Sequence, residues 1–434
     1  MQRIALPPLE GRLQRRFLAM VHSHSHAAPE LAAGVASLLS TAKPFAATQA
    51  AWRFLNNDRV TLPALAVPLR ASGCERVATT GAPFALLVHD WSKLAFSHTA
   101  DKLDLVQLTH ATDVGYELTT ALLVSADDGT PLAPMEIHLR TATGMLSTRV
   151  RAARVVPHLE QVLPTMRAST AWGLAKPLLH VIDREADSVD HYRRWDADGH
   201  KILVRADDRR VLWHGKSCLL SGIRRALRKR GVFRNVGSAE HHGRPAQLWV
   251  AETHVVLHRP AKKNVGGMKF ERSGRPLELR FVVVQLRDEQ GRVMAEWMLL
   301  SNAPLAWATT DILAYCYYWR WRIESFFKLL KSHGQQLERW QQQSGQAIAR
   351  RLLVAAMACV LVWQLQADNT PQAMELKNVL VRLSGRQMKR KRPHTAPALL
   401  AGLWVLLSML ALLEHTSLHA IRRLAATIPY LNTG

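Results

Sequence analysis

Cysteine is scarce in this 434-residue chain, and acidic side chains are far fewer than basic ones. Cys74, Cys218, Cys316 and Cys359 lie far apart with no CxxC pair. That spacing excludes a disulfide framework and a cysteine zinc site, and it predicts buried thiols in a reducing compartment such as the cytoplasm. Only 34 Asp and Glu face 57 Lys and Arg, a formal net charge of +23. Folding does not require such an excess, so the surface is expected to meet a polyanion. Nucleic acid comes first and an anionic membrane surface second. The opening MQRIALPPLEGRLQRR lacks an apolar core of the kind that directs secretion, so secretion is not expected. Long apolar runs are almost absent as well. Only 396–413 reaches the minimum length of a membrane span, and Pro397, Gly402 and Ser408 interrupt it, with basic residues on one side only. A buried core helix is the expectation there, and 352–363 is too short to cross a bilayer. What is plentiful is hydrophobic material, 48% of the chain, enough for real cores in several domains. No internal repeat is visible.

Texture divides the chain into five parts. Residues 1–75 read as helical, with Arg12, Arg15 and Arg16 on an early helix and ELAAGVASLLS (30–40) as another. The alternating His22, His24 and His26 sit among Ser and Ala and read as a solvated loop, with metal binding the alternative. Arg53 lies between Trp52 and Phe54, a pattern that suits either DNA contact or an aromatic helix anchor. In 76–194, FALLVHD is an apolar strand ending in Asp90, and PLLHVID repeats that pattern up to Asp183. Between them ELTTALLVS and PLAPMEIHLRT flank an Asp-Gly turn, the signal of a hairpin. Residues 195–294 alternate β-runs with basic loops, among them the Arg228-Lys229-Arg230 run, and read as a β-rich insertion. An apolar strand then leads, in 295–345, into a long helix from about Asp311 to His333, capped near Thr309 and ended by Gly334. Residues 346–434 are helical, broken by a basic run that includes Lys389, Arg390 and Lys391.

The chemistry follows from three acids. Ligands of an α/β sheet gather beyond the carboxyl ends of its strands. Two strand-end aspartates plus one helix-borne glutamate therefore suit Mg²⁺ or Mn²⁺, and two such ions serve phosphodiester chemistry. Each aspartate alone reads equally as a simple cap. The helix shifts the balance: Tyr317, Arg320, Glu324 and Lys331 fall at offsets of 0, 3, 7 and 14. At helical pitch that is one stripe about 60° wide. Arg and Lys on it suit phosphates, and the glutamate suits a metal.

The pattern Tyr-x2-Arg-x3-Glu-x6-Lys after two strand-end aspartates resembles the DDE transposases of the bacterial insertion-sequence-four family, the group marked by that motif. VIDREAD around Asp183 and the early WRFLNND are similar to the family's segments too, so the resemblance spans most of 1–345. It implies an α/β fold with a ribonuclease-H-like mixed-sheet core interrupted by the insertion, between helical N- and C-terminal regions. It also implies that Asp90, Asp183 and Glu324 are catalytic and hold two Mg²⁺ ions, for which Mn²⁺ can substitute. Tyr317, Arg320 and Lys331 would grip the end's phosphates. Arg53 and the 228–230 run would help bind the terminal inverted repeats, and Trp297 would stack a flipped base during hairpin formation. Double-stranded DNA, as element ends and target, and a homodimer on it are the implied partners, in the bacterial cytoplasm at the nucleoid. One departure is Trp91-Ser92 after the first acid, where relatives often carry Thr. The rival reading is a non-catalytic DNA-binding regulator derived from a transposase, against which the intact acids count. A membrane-associated basic protein would rest on 396–413 alone, and a junction resolvase would lack the helical stripe.

Overall fold

The computed structural model describes residues 4–26, 44–96, 102–110, 112–149, 156–265, 268–332, 334–386, 394–414 and 416–427. In chain order it begins with helices α1 (Gly11–His26), α2 (Pro44–Leu55) and α3 (Leu62–Ala78). Then come β1 (Ala85–Ala95), β2 (Val106–Gln107), β3 (Val114–Ser125), β4 (Pro131–Thr141), β5 (Gly144–Ser147), α4 (His158–Ser169), β6 (Leu178–Ile182), α5 (Val189–Ala197) and β7 (Lys201–Arg205). The next stretch holds β8 (Arg210–Trp213), β9 (Lys216–Leu219), α6 (Leu220–Lys229), β10 (Arg234–His241), β11 (Arg244–Leu257), β12 (Ala261–Val265), β13 (Met268–Arg272), β14 (Leu277–Arg287) and β15 (Val293–Ser301). Six helices follow: α7 (Thr310–Tyr318), α8 (Trp321–Leu330), α9 (Gly345–Ala367), α10 (Pro371–Leu383), α11 (Ala396–Leu413) and α12 (Leu418–Ala425).

One large mixed sheet organises these elements, in the order β5-β4-β3-β1-β6-β7-β15-β14-β11-β8-β9. The hairpin read from the Asp-Gly turn is β3–β4, antiparallel to each other and to β1. β6 lies parallel to β1, and β7 parallel to β6. β15 then pairs antiparallel with β7, so the strands of the β-rich segment continue the same sheet. Alternation along the strands fills two cores. Leu179, Val181, Leu203, Val282, Val284 and Leu299 join the core that also holds Phe17, Leu65, Tyr317, Phe326 and Val354 from the helices. Ile182, Ile202, Val204, Phe281, Val283 and Leu300 join the second core, with Met166, Trp195 and Ile223.

Several expectations change. The histidine segment is not a loop: α1 runs through it, and His24 is fully buried, its Nδ1 2.7 Å from Gln335 Oε1. The alternation of Ser and His hid an apolar stripe already begun by Phe17, Met20 and Val21. The helix expected at 30–40 and the 389–391 run lie outside the described residues. The apolar stretch at 352–363 belongs to a 23-residue helix, α9, which is long and apolar enough to span a bilayer; 83% of its most apolar window is buried in the protein, so it is the central core helix. α11 is a core helix only at its start, where Ala398, Leu399 and Leu400 are buried, while Met409, Leu410, Leu412 and Leu413 are exposed. The four cysteines are free thiols, Cys316 and Cys359 buried and the other two half-buried.

The long helix is also two helices. α7 starts at Thr309, whose hydroxyl caps the Ile312 amide, and ends at Tyr318. Trp319 and Arg320 form a tighter turn, with Arg320 N bonded to Tyr317 O and Ile323 N to Arg320 O, both three residues apart. α8 begins at Trp321 and stops before Lys331, whose backbone is no longer helical.

Candidate active site

Asp90 is not the last residue of its strand. β1 continues to Ala95 alongside β3, but its parallel pairing with β6 stops at His89, opposite Ile182. Asp90 and Asp183 therefore sit side by side where two parallel strands diverge, at the kind of opening in which α/β sheets collect ligands. Asp183 leads directly into the single 3₁₀ turn Arg184–Ala186. The α7–α8 turn lies over this opening, because Leu313 and Tyr317 below it and Ile323 and Phe326 above it are anchored in the first core.

The geometry centres on one guanidinium. Arg320 Nη1 donates to Asp90 Oδ2 at 3.0 Å, and Nη2 donates to Glu324 Oε1 at 2.8 Å. Nη2 also lies 3.7 Å from Asp183 Oδ2. The Tyr317 hydroxyl donates to Asp183 Oδ1 at 2.9 Å, and the Trp91 amide donates to Asp90 Oδ1 at 2.9 Å. Arg320 is only 5% exposed, whereas Asp183 and Glu324 are partly open to solvent. Burial pushes the Asp90 carboxyl up to about 6, against the opposing pull of Arg320. Asp183 feels burial too, but Arg320, the Arg184 amide, Tyr317 and Arg205 together hold it below its ordinary range. Burial raises the Tyr317 phenol, and the surrounding acids, outweighing burial, raise the Arg320 guanidinium.

Lys331 stands apart from the triad. Its ammonium reaches Ser92 Oγ at 3.3 Å, the Lys93 carbonyl and Glu338 Oε1 at 3.0 Å. The broken helix explains why: a residue past the end of α8 is off the stripe. Arg205, at the end of β7, lies 3.7 Å from Asp183 Oδ1 and was not expected from the sequence. Only the strand order reveals it, since residue 205 becomes a neighbour of 183 through the parallel pairing of β6 and β7.

Trp297 on β15 packs against Tyr317 with ring centroids 5.3 Å apart. It lines a cavity of about 130 Å³ beside the acids, together with His241, His242, Tyr318, Trp321 and Arg322. The histidines are the tip of the β10–β11 hairpin, where His242 has φ +47°. They too escaped the sequence reading, being remote from any motif.

Two basic surfaces lie elsewhere. Arg53 of α2 shares a groove of about 550 Å³ with Arg12, Arg15, Arg16 and Arg59, and Phe54 behind it is a core anchor. Trp52 is exposed. Arg228, Lys229 and Arg230 end α6, with Arg228 paired to Glu296 at 3.0 Å and Arg230 over the Trp213 ring at 5.1 Å.

The donors Asp90, Asp183 and Glu324 offer oxygen alone, the chemistry that Mg²⁺ and Mn²⁺ take, and so fit a hard divalent ion. As they stand, Arg320 occupies the space between them, and among the described residues no three His, Cys, Asp or Glu are grouped to hold a metal.

Comparison with known proteins places the chain. The family model for the transposase DDE domain matches residues 135–361, just over half of the sequence. The chain belongs to that family, and a DDE transposase is the class its sequence defines. Among solved structures, a piggyBac transposase synaptic complex with hairpin DNA is similar at 11% identity, over 98% of this chain and 75% of that one, with a TM-score of 0.34. That likeness is too low to carry an argument. No curated protein matches.

Proposed function

We propose that this protein is a cut-and-paste DNA transposase of the insertion-sequence-four type, binding the terminal inverted repeats of its element and catalysing metal-dependent strand cleavage and transfer. One observation carries the reading: Asp90, Asp183 and Glu324, from two strands and a helix, converge on a single buried guanidinium. The strand order β4-β3-β1-β6-β7, antiparallel on one side of β1 and parallel on the other, supports a ribonuclease-H-like core. Asp90, Asp183 and Glu324 would hold two Mg²⁺ ions, or Mn²⁺. Such ions activate an attacking oxygen and stabilise the leaving one.

The remaining work falls to the chain's own residues. Tyr317 fixes the Asp183 carboxylate by its hydrogen bond. Arg320 and Lys331 carry the positive charge that positions the end's phosphates, Arg as a fork and Lys as a point charge. Trp297 and its cavity receive an unstacked base, which lets the cut end close as a hairpin. The Arg53 groove and the α6 terminus bind the duplex through its backbone. A homodimer on two ends, at the bacterial nucleoid, completes the proposal.

The test is a purified-protein assay on duplexes carrying the repeats that flank the gene, with and without Mg²⁺. A nick at the element end followed by a hairpin is the expected product. Specific binding to the repeats without any metal-dependent nick would favour the regulator instead.

A further inference from the structure

We propose that Arg320 is the resident cation of the carboxylate site, and that a divalent ion enters only by displacing its guanidinium from Asp90, Asp183 and Glu324. This rests on the reading of those acids as metal ligands. The two terminal nitrogens of Arg320 are spent on the three acids, while Nε, buried, makes no hydrogen bond in the structure. The acids therefore fix where the guanidinium sits. Carboxylates gathered in a half-buried pocket repel one another unless a cation lies between them, and in the absence of metal Arg320 is that cation.

Two cations cannot share the position. Ions bound to the same oxygens would supply the compensating charge and repel a guanidinium lying among them. The backbone makes the exchange cheap. Arg320 sits in the tight turn between α7 and α8, so its side chain can leave without unwinding either helix. Its released fork then faces the mouth of the site, where a phosphate would lie. Metal entry and phosphate capture become one coupled step, and the coupling runs equally in both directions. Arg205, half-exposed beside Asp183, remains as a second positive group at that mouth.

The experiment uses the full chain without DNA and Mn²⁺ as the probe, titrated by electron paramagnetic resonance and calorimetry. Arg320→Met keeps the bulk and removes the charge. It should bind Mn²⁺ roughly 5- to 150-fold more tightly than wild type, the usual span of a coupling between competing ligands. Its melting temperature in EDTA should fall below wild type and recover with Mn²⁺ by more than wild type gains. Arg320→Lys, a cation with a poorer match to the three acids, should fall between them in affinity and guards against a Met variant that does not fold. Equal or weaker Mn²⁺ binding by folded Arg320→Met, or by Arg320→Lys should the Met variant not fold, would overturn the displacement. Asp90→Asn separates the two ideas: it should weaken Mn²⁺ binding in wild-type and Arg320→Met backgrounds alike. Unchanged affinity in both would overturn the metal-site reading itself.

Discussion

The Tyr317 hydroxyl donates to Asp183 Oδ1 at 2.9 Å, joining α7 to an acid 134 positions earlier. A phenol in this place aims the carboxylate without adding charge. Tyr317→Phe keeps the packing against Trp297 and removes only the bond. Cleavage should fall roughly 10- to 100-fold, the worth of a hydrogen bond to a charged group. Thermal unfolding should barely move, and a cleavage rate equal to wild type would detach Tyr317 from the chemistry.

Asp90 sets a pH dependence. Its folded pKa is raised to about 6 by burial, so the stability it contributes is complete at low pH and is lost as pH rises through about 6. Asp183 has the opposite sign: its depressed pKa contributes stability at neutral pH that is lost as pH falls. Ligands bind metal deprotonated, so Mn²⁺ affinity should drop about tenfold per unit below pH 6. A calorimetric series from pH 5 to 8 checks this, and Asp90→Asn should flatten the profile.

Gly129 supports the turn under Arg320. It has φ +72°, and an added Cβ would lie 2.2 Å from Cδ1 of Trp319. Gly129→Ala combines backbone strain with displacement of that indole. It should cost about 1–3 kcal/mol of stability and reduce cleavage disproportionately, since Trp319 precedes Arg320. Denaturant unfolding and a cleavage assay together measure the split.

Of the two basic surfaces, the groove should matter more for DNA. Arg228 is engaged by Glu296 and Arg230 lies on Trp213, whereas Arg12, Arg16 and Arg53 line an open groove. Replacing those three groove arginines by Gln should flatten the salt dependence of duplex binding by about one unit of slope per lost phosphate contact. The same change at Arg228, Lys229 and Arg230 should do less.

Trp297→Ala separates stacking from packing. Trp297 is 6% exposed yet lines the cavity, so truncation costs packing as well, roughly 3–5 kcal/mol. Nicking should persist at a temperature where the variant is folded, while hairpin closure slows. An abasic site at the unstacked position should restore closure. Equal loss of nicking, closure and binding would mark Trp297 as packing alone.

Much of the centre was legible because it is written locally. Apolar runs before Asp90 and Asp183 read as strands, and the Asp-Gly turn marked the hairpin β3–β4. The spacing of Tyr317, Arg320 and Glu324 put them within reach of one another, and the break at Trp319–Arg320 left that reach intact. Lys331 shows the limit. Its place on the stripe assumed an unbroken helix, and a backbone that leaves the helix after Leu330 redirects it to Ser92. Arg205 and the His241–His242 tip depend on strand pairing across long separations, which local pattern does not encode. His24 was misread because its partners, Gln335 and Arg351, lie more than 300 residues away.

The central claim is that three carboxylates carry the chemistry. The most direct measurement is Mg²⁺-dependent nicking of end-bearing duplex by Asp90→Ala, Asp183→Ala and Glu324→Ala, each paired with a binding assay on the same DNA. All three should lose cleavage while retaining affinity, because binding rests on distributed phosphate contacts away from the acids. A single variant that nicks at near wild-type rate would contradict the account.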